Sequence, residues 1–299
     1  MIWPENKKFA FTIVDDTDEA TLENIKPVYD LLNDLKLKTT KTVWIEPSRD
    51  KFTGDCLKDE PYLNFILDLQ NKGFEIAFHG VGSGSFSREE ILNGLTFYKE
   101  KLGDYPKMHI NHAQNPHNLF WGNSGGSKLL QVYSKWRIPH ENYYGHVPSS
   151  KYFWGDFLKK HIKYMRARTS SDINTLKFDP KMPYRDKDKD KYSNFWFSSS
   201  DGAEIKSFTN LICKENIDRL VSENGLCIVY THFGCDFVKN KQVDEHFKEN
   251  MAYLSKQEGW FAPASEILDY LLQHKKSEYE SEWFFTYLDL KRALDKRGY

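Results

Sequence analysis

The chain has 299 residues, 39% of them apolar and 15% aromatic, enough to bury a sizeable core in one large domain or two ordinary ones. With 42 basic and 43 acidic residues the formal charge is -1, so electrostatics give no case for nucleic acid or an anionic membrane as partner. Cys56, Cys213, Cys227 and Cys235 form no C-x-x-C pair and no disulfide-dense pattern, no apolar window is long enough to span a membrane, and Met1 to Lys8 lacks the features of a secretion signal. A cytoplasmic protein with reduced thiols and no membrane span is the expectation.

Phe9 to Val14, F-A-F-T-I-V, is apolar and too short for a buried helix, so a central strand is expected, with Asp15, Asp16 and Asp18 at its carboxyl end. Asp18 or Thr21 can also be read as the N-cap of the segment beginning at Leu22. Leu22 to Leu35 has helical spacing, Thr39 to Ile45 reads as a strand closed by Pro47, and Leu63 to Leu69 marks a helix ended by Lys72-Gly73. Phe74 to His79 is a third strand ending in an imidazole. Ser87 starts a helix that runs through Leu102 and stops at Gly103. Lys107 to Asn111 is a short fourth strand followed by a long polar loop, and strands alternating with helices in this way predict parallel βα units.

From Leu129 to Ser207 the pattern weakens to a helix near Leu129 to Trp136, a strand near Tyr164 to Arg168 and the mixed-charge run Arg185 to Lys191, read as a solvated loop or a lid. Order returns with a helix at Ile217 to Val221, the apolar strand Leu226 to Tyr230 ending in Thr231-His232, and helices at Val243 to Leu254 and Ser265 to His274. Trp283 to Leu294 has helical spacing and is expected to pack on the outside. The economical organisation is one α/β domain over 1–299, with an irregular insertion around 137–207 and a helical extension around 276–299.

Asp15 and Asp16, His79, His112 with Asn111, and His232 all stand at expected strand ends. In a parallel barrel these ends face one mouth, where residues distant in sequence converge. A carboxylate with one or two imidazoles suits zinc or a similar divalent ion, and a second carboxylate can take a proton. That division of labour accounts for adjacent Asp residues, one as ligand and one as base. Taken singly, His79 reads as a satisfied core histidine and His232 as a loop residue.

T-I-V-D-D at Thr12 to Asp16 resembles the T-F-D-D motif of the polysaccharide deacetylases (NodB-type, carbohydrate esterase family four). E-I-A-F-H-G at Glu75 to Gly80 is similar to the strand carrying that family's H-(S/T)-x-x-H motif, C-I-V-Y-T-H at Cys227 to His232 to its late catalytic strand, and W-F-A-P-A-S-E-I-L-D-Y-L to the closing strand and helix. The resemblance implies a distorted (β/α) barrel of about seven parallel strands and a divalent metal, most often zinc. It also implies hydrolysis of an N-acetyl group from an amino sugar, with Asp15 as general base, Asp16 and His79 as metal ligands and His232 as general acid.

Ser83 stands where the family has a second ligating His, and a hydroxyl is a poor zinc ligand beside imidazole, so either two protein ligands and waters hold the metal or a third ligand comes from elsewhere, His112 and His117 being the candidates. His112 is preferred. Ser83, Asn111, Asn115, Asn118, Trp121, Arg168 and Asp172 are candidates for the substrate pocket, Arg168 and Asp172 also for orienting Asp15 and His232. The expected function is removal of an acyl group from a carbohydrate substrate, a nucleotide- or lipid-linked amino sugar of bacterial surface polysaccharide biosynthesis. Two alternatives are a barrel that binds carbohydrate without chemistry, having Ser83 for a ligand, and a glycoside hydrolase pairing Asp15 with Asp172 or Asp236.

Overall fold

The computed structural model describes residues 3–121, 126–137, 143–275 and 278–295. Seven parallel strands close into a barrel: β1 (Phe9–Asp15), β2 (Thr40–Val43), β3 (Glu75–Phe78), β4 (Met108–His109), β5 (Tyr164–Ser170), β6 (Phe195–Asp201) and β7 (Leu226–Thr231), with β7 pairing back onto β1 from Ala10↔Leu226 to Asp15↔Thr231. An eighth strand, β8 (Gly259–Phe261), pairs with the first half of β1, while the second half pairs with β2 at Val14↔Thr40 and Asp15↔Lys41. The single α/β domain and the seven-stranded parallel barrel agree with the expectation.

Local chemistry explains the helices that separate the strands. In α1 (Leu22–Asp34) the N-cap is Thr21, whose side chain accepts from Asn24 N–H while the Asn24 side chain accepts from Thr21 N–H. Asp18 is therefore free of that role. After α2 (Glu60–Asn71), α3 (Arg88–Leu102) begins with the capping box of Ser87 and Glu90 and ends at Gly103, whose φ of 93° is a conformation that glycine adopts without a Cβ clash. Ile25, Val28, Tyr29 and Leu32 of α1 and Ile91, Leu95 and Tyr98 of α3 are buried against the barrel.

The weakly patterned stretch around 137–207 carries two staves of the barrel, β5 at the strand expected near Tyr164 to Arg168 and β6, which the expected irregularity left out. Residues 138–142 of that stretch, and 276–277 and 296–299 of the C-terminal extension, lie outside the described residues. The run Arg185 to Lys191 is not simply solvated. Arg185–Asp186 forms a short strand paired with Tyr279–Glu280, and Asp186 and Lys189 are buried and ion-paired to each other.

Two helices meet at the rim of the barrel mouth: α4 (Lys128–Arg137), and a C-terminal helix, Glu282–Asp295, that packs on it and on β5. The latter was expected on the outside. Instead Asp289 accepts from Arg168 Nε of β5 at 2.6 Å and from Ser127 N–H at 2.7 Å, so it anchors the helix over the strand ends. Among the described residues no helix is long and apolar enough to cross a membrane.

Candidate active site at the barrel mouth

A cavity of about 600 Å³ opens at the carboxyl ends of the strands, lined among others by Asp16, Asp18, His79, His112, Arg166 and His232. Its centre is Asp18, buried to 8% exposure and touched by three imidazoles. His112 Nε2 lies 2.5 Å from Oδ1, while His79 Nε2 and His232 Nε2 lie 3.2 and 3.4 Å from Oδ2. Burial raises the pKa of the Asp18 carboxyl, but the hydrogen bonds from His112, His232 and His79 outweigh it and hold the group far below the usual carboxylate range.

Asp18, His79 and His112 each offer a ligand atom within 4.8 Å of the other two, and among the described residues they form the group that can hold a metal ion. One carboxylate oxygen and two imidazole nitrogens fit a divalent transition metal with open positions for water and substrate. Burial lowers the His79 pKa, which favours the neutral imidazole that ligation needs. His112 packs edge-on against Trp44 and Phe52, with ring centroids 5.4 and 4.7 Å away, and its Nδ1 faces Ser83 Oγ at 3.5 Å. Ser83 in turn donates to Asp50 at 2.7 Å. The serine therefore stands behind His112 rather than in the cavity.

The aspartates at the end of β1 divide differently from the expectation. Consecutive strand residues point to opposite faces, so Asp15 and Asp16 cannot both look into the mouth. Asp15 looks outward, toward α1. It is fully buried, 2.9 Å from Lys41 Nζ, and accepts from Tyr29 OH at 2.9 Å and from Phe233 N–H at 2.8 Å. With its acceptor sites taken and no place in the cavity lining, Asp15 is not positioned as the general base. Asp16 does line the cavity, but its two oxygens are clamped by Arg166 at 3.2 and 2.5 Å, and the carboxylate in the metal-capable group is Asp18 instead.

His232 Nδ1 sits 2.9 Å from Ala203 carbonyl oxygen, which fixes the proton there and turns Nε2 toward Asp18. Burial lowers its pKa, yet the hydrogen bond to Asp18 and the charge of Asp16 win and push it up to about 9. Arg166 also covers the Tyr230 ring at 4.4 Å.

The other candidates separate into lining and scaffold. Asn111 and Trp121 line the cavity, although Asn111 is occupied in tying His109 to Leu119. Asn115 donates to Gly82 carbonyl oxygen and accepts from Gly84 N–H, joining the loop after β3 to the loop after β4, and Asn118 donates to the carbonyl of His112 at 2.5 Å. Both amides shape the loop and leave the cavity to others. Arg168 lines it while bound to Asp289 and to Tyr184 OH at 3.2 Å. Asp172 is held by Arg219 at 3.0 Å and by Asn174 N–H, away from the cavity lining, so it orients neither His232 nor Asp15. With Asp15 sealed as well, the carboxylate pair of a glycoside hydrolase is not formed by Asp15 and Asp172.

His117, the other candidate ligand, is a core histidine beside Phe86, with its Nε2 3.4 Å from Asn115. Burial pushes the pKa of His117, and likewise of His109, down to about 3. The unfolded chain takes up these protons near pH 6.5 and the folded chain does not, so each residue costs about 1.4 kcal/mol of stability per pH unit as pH falls from 6.5 toward 3. Urea unfolding at pH 7 and pH 5 is expected to show a smaller acid loss for His117→Leu than for the wild-type chain. An equal loss in both would mean that the ring is not buried neutral.

Asp18, Arg166, Asp201 and Tyr230 are lining residues that the sequence alone did not single out. The spacing of Asp16 and Asp18, two residues apart and directly past the strand, is the one signal that could have found Asp18.

No protein-family model matches the sequence, and no curated protein does so either. Solved structures do match. A protein assigned as a polysaccharide deacetylase from Mycobacterium smegmatis superposes over 94% of this chain and 96% of its own at 13% identity and a TM-score of 0.54. Puue allantoinase does so over 91% and 92% at 11% identity and 0.56, and a protein assigned as a polysaccharide deacetylase from Pseudomonas aeruginosa PAO1 over 91% and 93% at 10% identity and 0.54. The chain therefore has the barrel fold that these solved structures share.

Proposed function

We propose that the chain is a metal-dependent amide hydrolase that removes an acetyl or similar acyl group from an amino sugar, in the making of a bacterial surface polysaccharide. The observation that carries this is the convergence of Asp18, His79 and His112 on one point of the cavity, with a clamped carboxylate and a proton-bearing imidazole beside it. The fold shared with the deacetylases and with an allantoinase agrees with hydrolysis at a carbonyl–nitrogen bond.

Asp18, His79 and His112 would hold a divalent ion, zinc being the first choice for this donor set; such an ion polarises a carbonyl and makes water a stronger acid. Asp16 is the carboxylate that accepts the proton of the attacking water. The Arg166 fork, reaching both oxygens of Asp16, fixes the direction of that carboxylate. His232 then donates the Nε2 proton to the departing amine nitrogen, while Ala203 carbonyl oxygen holds the proton on Nδ1. His112 supplies the imidazole that Ser83 does not, which removes the reason for an inactive barrel.

Metal analysis of the purified protein together with acetate release from N-acetylated amino-sugar oligomers tests this. About one divalent ion per chain and measurable release are expected; neither ion nor release would overturn the assignment. Arg166→Ala is expected to lower kcat by about a hundredfold with a smaller change in KM and with the ion retained. Arg166→Lys should recover part of the loss, and metal content measured alongside the kinetics separates a misdirected base from a lost site.

A further inference from the structure

The mouth cavity adjoins a second one of about 390 Å³, and Thr169, Asp201, Glu204 and Arg292 line both. Two side-chain atoms of the second cavity's lining, Arg292 Nε and Ser170 Oγ, are buried without a hydrogen-bond partner. Buried donors of this kind are costly unless something pairs with them. The neighbouring arginines are already matched, Arg166 by Asp16 and Arg168 by Asp289. Arg292 makes no ion pair among the described residues, and Asp289, one turn before it, is taken by Arg168 and Ser127. Burial and the charge of Arg168 both lower the Arg292 pKa, as expected for a cation short of a counter-charge. Lys206, exposed and also without an ion pair among the described residues, adds a second cation to the same lining. Asp201 and Glu204, like Arg292, line both cavities, whereas Ser170 and Lys206 line the second alone, so its far side holds a cation and a hydroxyl and no acid.

We propose that the second cavity is a subsite for an oxyanion carried by the substrate, a phosphoryl or carboxylate group bound by Arg292, Lys206 and Ser170 Oγ. Entry of the acylated amine into the main cavity from this anchor rests on the amide-hydrolase assignment; binding of the oxyanion does not. The chemistry is that of a forked guanidinium and a hydroxyl donating to charged oxygens.

Calorimetric titration of the purified protein with inorganic phosphate and with glucuronate tests the subsite directly, and the tighter ligand tells phosphoryl from carboxylate. Arg292→Gln is expected to weaken the preferred anion about tenfold or more, Arg292→Lys less, and Lys206→Gln measurably. The KM for N-acetylglucosamine 1-phosphate or an N-acetylated aminouronate should rise in Lys206→Gln while that for neutral N-acetylglucosamine stays put. Anion binding without any hydrolysis would sink the enzymatic assignment and leave the subsite standing. Hydrolysis with no anion binding, or binding indifferent to Arg292→Gln, would overturn the subsite. Should Arg292→Gln fold poorly, the exposed Lys206→Gln decides.

Discussion

Replacing Asp18 by Asn is expected to weaken divalent-metal binding by at least about a hundredfold and to abolish acyl hydrolysis, the largest functional effect of any single change in this chain. Among the described residues, Asp18 is the group that touches His79, His112 and His232 together. An amide keeps its size but supplies no negative charge to an ion and no counter-charge to an imidazolium. Isothermal titration with Zn²⁺ reads the first effect. The second has its own signature in the metal-free protein, because the His232 pKa stands at about 9, above its unfolded value of 6.5. The folded state then holds a proton that the unfolded state gives up, so this contribution to stability is present below pH 6.5 and is lost as pH rises through 9. In Asp18→Asn that alkaline loss should shrink. Asp16→Asn is the contrast: ion bound, activity gone. Loss of the ion in Asp16→Asn with retention in Asp18→Asn would return the ligand role to Asp16 and undo the proposed site.

The barrel was legible where strands are continuous apolar runs. Phe9 to Val14 and Leu226 to Tyr230 have no other home than a buried parallel sheet, and each ends in the residues that turn into the mouth. Phe195–Asp201, F-W-F-S-S-S-D, escaped notice because its second half is serine. Those hydroxyls are buried, Ser198 donating to Asp179 at 2.7 Å and Ser200 to the carbonyl of Asp172 at 2.7 Å, so a polar spelling hides a core strand. The C-terminal helix was visible as a helix but not as part of the site, since its tie to the barrel runs through a single residue, Asp289, whose partner Arg168 lies on a distant strand, and Arg292 reaches the site only as a lining residue.

Within the site, strand ends were enough to bring His79, His112 and His232 together, while the acids needed parity. Adjacent aspartates look alike in sequence, yet only Asp16 faces the cavity, and Asp18 lies past the strand, where capping propensity offers an equally ordinary explanation. Arg166 and Arg168 both line the cavity from β5, and which of them meets Asp16, just past β1, is decided by the assembled barrel, where the β5 register shifts after Arg166.

Asp15→Ala is expected to cost about 3 to 5 kcal/mol of folding stability, because it leaves the Lys41 ammonium buried without a counter-charge and strands Tyr29 OH and Phe233 N–H. Burial raises the Asp15 pKa, and the charge of Lys41 first, then the hydrogen bonds from Phe233 N–H and Tyr29 OH, offset only part of that rise. The carboxylate serves the chemistry only through position: Phe233 follows His232, so the bond from its N–H to Asp15 pins the turn that presents the imidazole. Urea unfolding of Asp15→Ala beside the double replacement Asp15→Leu with Lys41→Met separates the possibilities. Removing both charges should restore most of the stability that removing one takes away, since paired burial of ions returns little net free energy. Folded Asp15→Ala should still bind the divalent ion at full stoichiometry. A variant as stable as the wild-type chain but devoid of activity would instead place Asp15 in the proton transfer, and with it the outward direction of that side chain would have to be wrong.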